Sequence, residues 1–153
     1  MDNVWNYKQP LVDPAAFEKF EQQYNVKIPE ELKAFVAEHN EASPEKDAFD
    51  SESGEHLFSD VLRFDSGESR KVTAYDAMEE IQNKELLPFA KDPFGNYICL
   101  SLKDGTVRFW DHEEHETGTT AMAGKSLQDF IENLPYDAEE KNKRLSEILK
   151  LLV

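Results

Sequence analysis

Cysteine is almost absent from this chain. Cys99 stands alone, which excludes an internal disulfide and any zinc or iron–sulfur site built from several thiolates. Long apolar runs are missing too: no stretch approaches the ~18 residues a membrane-spanning helix requires. The opening MDNVWNYKQP has neither a basic n-region nor an apolar h-region, so a cytosolic protein is expected. Basic residues are scarce, with 17 Lys and Arg against 32 Asp and Glu, a formal net charge of −15. Such a charge repels phosphate and anionic lipid, which argues against direct nucleic-acid or membrane-surface binding. It would speed encounter with a basic partner, although solubility alone accounts for it equally well. Catalytic signatures are lacking: there is no G-x-G-x-x-G, no P-loop and no G-x-S-x-G. With 32 acids any carboxylate pair arises by chance, so no general acid or base is assignable.

What is present suits one folded domain. The 153 residues are 39% apolar and 11% aromatic, enough for a real core. A first helix is predicted from Asp13 as N-cap and Pro14 as first helical residue, with Phe17, Phe20 and Tyr24 at helical spacing. A second carries Leu32, Phe35, Val36 and His39, with Asn40 suited to a left-handed stop. His39 reads as an ordinary helix-edge histidine. Thr73 with Asp76, and Ser126 with Asp129, have capping-box spacing and predict two more helices. The second of these buries Leu127, Phe130, Ile131 and Leu134 and stops at Pro135. A last helix is predicted over 137–152, opening at Asp137 with Glu140 three later and burying Leu145, Ile148, Leu149 and Leu152. It would pack on a core spanning about 13–134.

Residues 38–68 hold ten acids and two bases. Within them EASPEKDAFDSESGEH is rich in turn formers and lacks a sustained period, so an exposed loop is expected. That loop either binds a partner or is merely solvated. HLFSDVLRFD then reads as a strand, with Phe58, Leu62 and Phe64 on one face and Asp60 interrupting it.

The strongest local signal is NYICLSLKDGTVRFWDH. Two alternating runs flank Asp104 and Gly105, a pair suited to a type I′ hairpin turn. That register pairs Lys103 with Thr106, Leu102 with Val107 and Leu100 with Phe109. The opposite face then carries Ser101 against Arg108, Cys99 against Trp110 and Tyr97 against His112. Cys99, mid-strand between Ile98 and Leu100, is a packing residue rather than a nucleophile. The run DHEEH that follows raises the question of a metal. In a continuing strand His112 and His115 point to opposite faces, and their i, i+3 spacing is not the helical H-E-x-x-H pattern. A strand end rich in solvated charge is the preferred reading, and neither a metal nor a cofactor is expected. Trp110 and Tyr97 are either exposed anchors or rings under a helix.

Two stretches together resemble a known family. FEQQYNVKIPEELKAFVAEHN resembles the helix, "lP", helix, "NG" opening of the Syd–US22–Knr homology (SUKH) superfamily. LLPFAKDPFGNYICLSLKDGTVRFWDHE resembles its central block, with PFA, an Asp followed three later by Gly, a strand, and a tryptophan before HE. The resemblance runs from about residue 17 to residue 134. Glu41 stands where the family usually has Gly, and Asn96 where an acid is common. The resemblance implies an α+β domain: an antiparallel sheet with a central hairpin, flanked by helices. Bacterial members are mostly immunity proteins that bind and neutralise a cognate toxin, very often a nuclease, in Gram-positive bacteria sometimes one with an LXG export module. Fungal relatives are scaffolds that regulate cell-wall synthesis. Neither role is catalysis.

The expected partner is thus a toxin C-terminal domain with a basic, phosphate-holding surface that an acidic protein can cover. Candidate contact residues are Glu45, Asp47, Asp50 and Glu52 of the acidic loop, and Tyr97, Arg108, Trp110, His112, Glu113 and Glu114 of the hairpin. Homo-oligomerisation is left open. Among binding proteins the alternative is a regulatory scaffold of the cell-wall type, and from a different class it is a metal-dependent hydrolase using His112, His115 and nearby acids.

Overall fold

A computed structural model describes residues 3–65, 71–114, 120–134, 146–147 and 149–151. Its frame is a five-stranded antiparallel meander: β5 (Asp60–Val61), β6 (Leu86–Lys91), β7 (Tyr97–Ser101), β8 (Val107–Trp110) and β9 (Ala121–Gly124), paired in that order. Two smaller antiparallel pairs join it: β1 (Trp5–Asn6) with β2 (Ser43–Pro44), and β3 (Ala48–Ser51) with β4 (Gly54–Leu57). The sheet is accompanied by α1 (Ala16–Tyr24), α2 (Glu30–His39), α3 (Ala74–Ile81) and α4 (Leu127–Glu132). The fold is α+β, as the resemblance implies.

Both capping signals mark helix starts. In α3 the Thr73 side chain accepts from the Asp76 amide while Asp76 accepts from the Thr73 amide at 2.9 Å. In α4 Ser126 Oγ accepts from the Asp129 amide at 3.1 Å. The first helix begins later than predicted. Asp13 accepts from the Ala15 amide and forms a turn, so α1 opens at Ala16. Asn40 does not take the left-handed stop after α2. Its φ is −52°, and Glu41 turns at φ 60° instead. The position where the family usually has Gly thus does use the glycine region of backbone space. Here a glutamate occupies it and reaches inward: its buried carboxylate lies 3.5 Å from Arg63, which also hydrogen-bonds Asp65.

The sheet is covered on both faces. Ile98, Leu100, Val107 and Phe109 belong to one face, where aromatic contacts run from Phe35 through Phe89, Phe130 and Phe49 to Phe109. Each fully buried ring of this kind stabilises by roughly 1.5–3 kcal/mol. The other face carries Cys99, Tyr97 and Trp110 toward α3, whose Glu80 accepts the Tyr97 hydroxyl at 2.9 Å. Pro88, which has no amide proton to donate, sits inside β6 beside a bulge that also sets Phe89 into the core.

Further expectations are corrected. The hairpin register is shifted by two: Tyr97 pairs with Trp110, Ile98 with Phe109, Cys99 with Arg108 and Leu100 with Val107. The connection is the four residues 102–105, closed by Gly105 at φ 76°, and not a two-residue type I′ turn. An even shift keeps every side chain on its own face, so the core assignment survives. The acidic stretch is no plain loop, since it contains β2 and the β3–β4 hairpin, whose Phe49 is buried. HLFSDVLRFD is not one strand: β4 ends at Leu57 and β5 holds only Asp60 and Val61. Pro135, His115 and most of the predicted last helix lie outside the described residues. Residues 146–147 and 149–151 are helical, but Leu149 is 62% exposed where burial was expected. A periodic pattern defines a face without supplying the surface that covers it.

Candidate partner-binding site

The meander gathers three segments at one end of the sheet: the β6–β7 loop, the turn after β8 and the start of β9. The β3–β4 hairpin leans on the same end. Its tip is tied down by Glu52, whose amide donates to the Met122 carbonyl (3.0 Å) and whose carboxylate accepts from the Met122 amide (3.1 Å). A cleft of about 290 Å³ opens between these parts. The hairpin contributes Glu52, Ser53 and His56 to it. From β8 and its turn come Phe109, Asp111 and Glu114, and from the β9 side Thr120 and Ala121.

The floor is aromatic and the rim acidic. His56 stacks on Phe109 with ring centroids 3.7 Å apart and planes inclined by 17°. Its Nε2 lies 2.7 Å from Ser51 Oγ and 3.1 Å from Ser53 Oγ. Burial against the ring pulls the His56 pKa down, opposed by the carboxylates of Asp92, Asp111 and Asp50. Asp50 and Glu55 are exposed and directly opposite each other across β3 and β4. Like charges in such a pair weaken a hairpin.

The described part of DHEEH, residues 111–114, forms a turn. β8 ends at Trp110, and the chain turns through 111–114, with the Glu113 amide donating to Asp111 Oδ1 (2.9 Å) and the Glu114 amide to the Asp111 carbonyl (3.1 Å). His112 is therefore not a strand residue opposite Tyr97, which corrects that pairing. Its amide donates to Asn96 Oδ1 at 3.0 Å and its Nδ1 lies 2.6 Å from the same oxygen. Among the described residues no group of three or more His, Cys, Asp and Glu side chains is placed to hold a metal ion.

The ten candidate residues separate. Glu52 and Glu114 line the cleft, Glu113 is exposed on the same turn, and Asp50 is exposed on the hairpin. Glu45 is held elsewhere, with its amide on the Val4 carbonyl and its carboxylate 3.4 Å from Asn6 Nδ2. Asp47 precedes β3 and accepts the Phe58 amide through its carbonyl at 2.7 Å. Tyr97 and Trp110 are each 5% exposed and pack together, centroids 5.7 Å apart, so they are core rings and not exposed anchors. Arg108 clamps Thr120, donating to its hydroxyl at 2.8 Å and its carbonyl at 2.6 Å. The Cys99 thiol is fully buried and its pKa is pushed up by that burial, which suits packing. His39 stacks on Phe35 at 4.6 Å and beside Trp5, as a helix-edge residue does.

Sequence reasoning missed His56, Phe109, Asp111 and Thr120 as cleft residues. A signal existed in AFDSESGEHL, where Phe49 and His56 are cross-strand partners around a two-residue connection, Glu52 and Ser53. The many acids concealed that alternation.

No helix among the described residues is long and apolar enough to cross a membrane. The chain is similar over 77 residues, at 29% identity, to the SPbeta prophage-derived uncharacterized protein YokK of Bacillus subtilis (strain 168). That match covers 50% of this chain and 40% of the relative's length. Residues 11–133 match the SMI1 / KNR4 family (SUKH-1), which takes in both helical openings, the meander and α4. With more than half its length matched and the fold in agreement, the chain belongs to the SMI1 / KNR4 (SUKH-1) family.

Proposed function

We propose that this chain is an immunity protein, which binds a toxin encoded beside its own gene and neutralises it within the producing cell's cytoplasm. The toxin would be a nuclease, of the LXG type where the host is Gram-positive. The observation that carries this reading is the acid-rimmed cleft, beside which two exposed carboxylates oppose each other on one hairpin. A pairing that lowers stability is retained where it serves another purpose. Attraction of a basic surface is such a purpose, because a nuclease must be basic where it holds phosphate. Family membership supports the same reading, since bacterial members are commonly immunity proteins. The prophage origin in the relative's name is consistent with mobile elements carrying such genes. Inhibition needs no bond-breaking step by this chain. Covering the toxin's phosphate-binding surface suffices.

The test is co-expression of this protein with the toxin domain encoded beside it, followed by size-exclusion chromatography of the purified pair. Rescue of growth together with a stoichiometric complex is expected. Growth arrest despite full expression of the folded protein, with the two eluting separately, would overturn the reading.

A further inference from the structure

The β6–β7 loop, residues 92–96, holds Phe94 outward, and the residue is 69% exposed. Single exposed apolar residues are ordinary. What is unusual is the fixing of this one. Asp92 is buried, and its carboxylate takes three donors: the amides of Phe94 and Asn96 on Oδ1 and the Asn96 side-chain amide on Oδ2, each at 2.8 Å. Pro93 restricts φ on one side of Phe94, and Gly95 supplies a positive φ of 90° on the other. Asn96 in turn accepts the His112 amide, which locks the loop to the turn that brings Asp111 and Glu114 to the cleft. Phe94 thus stands on a preordered support at the same end of the sheet as the acidic rim.

From this placement we infer that Phe94 is the hydrophobic anchor of the toxin interface. It enters an apolar pocket of a basic-surfaced partner while the acids around the cleft meet the basic rim of that pocket. The inference rests on the immunity reading. A large ring loses few rotamers on binding, and a loop already ordered adds little further entropy loss, so such a residue carries more affinity than its neighbours. Charge decides the occupant: beside this cleft a basic protein is attracted and a second copy of this acidic chain is repelled.

The test measures binding of the neighbouring toxin domain by wild type, Phe94→Ala, Phe94→Leu and Asp92→Ala, with thermal melts of each. Phe94→Ala should weaken binding at least ~30-fold with an unchanged melting temperature, and Phe94→Leu should retain part of the affinity. Asp92→Ala should weaken binding by a smaller factor, on the order of 3–10-fold, because the ring is kept and its preordering is lost. Wild-type binding matched by Phe94→Ala would overturn the anchor and leave the immunity reading standing. Absence of wild-type binding would overturn both. A wild-type dimer that Phe94→Ala converts to monomer would assign the ring to self-contact and overturn the inference.

Discussion

The β7–β8 hairpin buries eight of its nine strand residues, whereas β3–β4 buries one of eight, Phe49. The first is held by its own side chains pressed between helices. The second is held from outside, by the stack of His56 on Phe109 and by the two Glu52 hydrogen bonds to Met122. A strand pair with so few buried residues has most of its positions free for charge. The inner hairpin specifies the fold, and the outer one can carry recognition.

Phe109 is where the two hairpins meet, so its removal breaks the comparison most severely. Phe109→Ala should cost about 3–5 kcal/mol in urea unfolding, since the ring is 3% exposed and lies under both His56 and Phe49. A loss below ~1 kcal/mol would mean the outer hairpin does not rest on it. Next comes Gly105→Val. A β-branched residue at φ 76° is strained, and about 1–3 kcal/mol should be lost. A melting curve equal to that of wild type would count against the four-residue connection.

The outer hairpin should respond in the opposite sense. Glu55→Lys replaces a like-charge cross-strand pair by an opposite one and should raise stability by roughly 0.2–1 kcal/mol. Denaturant midpoints check this, and a decrease would show that Asp50 and Glu55 do not repel.

The smallest effect is expected from pH. Because burial lowers the His56 pKa, the folded state favours the neutral ring. Its contribution is fully present above the unfolded value of 6.5, is lost as pH falls from there to the lowered folded value, and is constant below that. His56→Phe keeps a ring on Phe109 and should remove this step, so wild type and variant should diverge only just below pH 6.5. Parallel stability profiles through that window would contradict the assignment.

The inner hairpin was legible from alternation and the outer one was not. Even so, the Asp104 and Gly105 pair misled on register, because a left-handed glycine closes a four-residue connection as readily as a two-residue one. The faces were right because a slip of two preserves parity. Helix starts were legible at Thr73 and Ser126, whose partners lie three residues away, and less so at Asp13, where a turn intervenes. Of the cleft only Glu52 and Glu114 were named from the sequence, and its assembly was not legible. It depends on contacts such as Glu52 with Met122, seventy residues apart, and no local pattern encodes them. Whether Tyr97 and Trp110 are anchors or covered rings stayed open for a similar reason, since only the folded packing, such as the Tyr97 hydroxyl on Glu80 of α3, shows that both are buried.

The most direct test of the account is the association rate of the neighbouring toxin domain, measured against ionic strength for wild type and for the double variant Asp50→Lys, Glu55→Lys. Exposed charges act over a Debye length of ~8 Å at physiological salt, so screening and charge reversal should act on association more than on dissociation. The wild-type rate should fall steeply as salt rises, and the variant should associate more slowly at low salt with a flatter dependence and an unchanged melting temperature or a higher one. Identical salt slopes for the two proteins, with full protection by the variant, would contradict the claim that this acidic end of the sheet receives the partner.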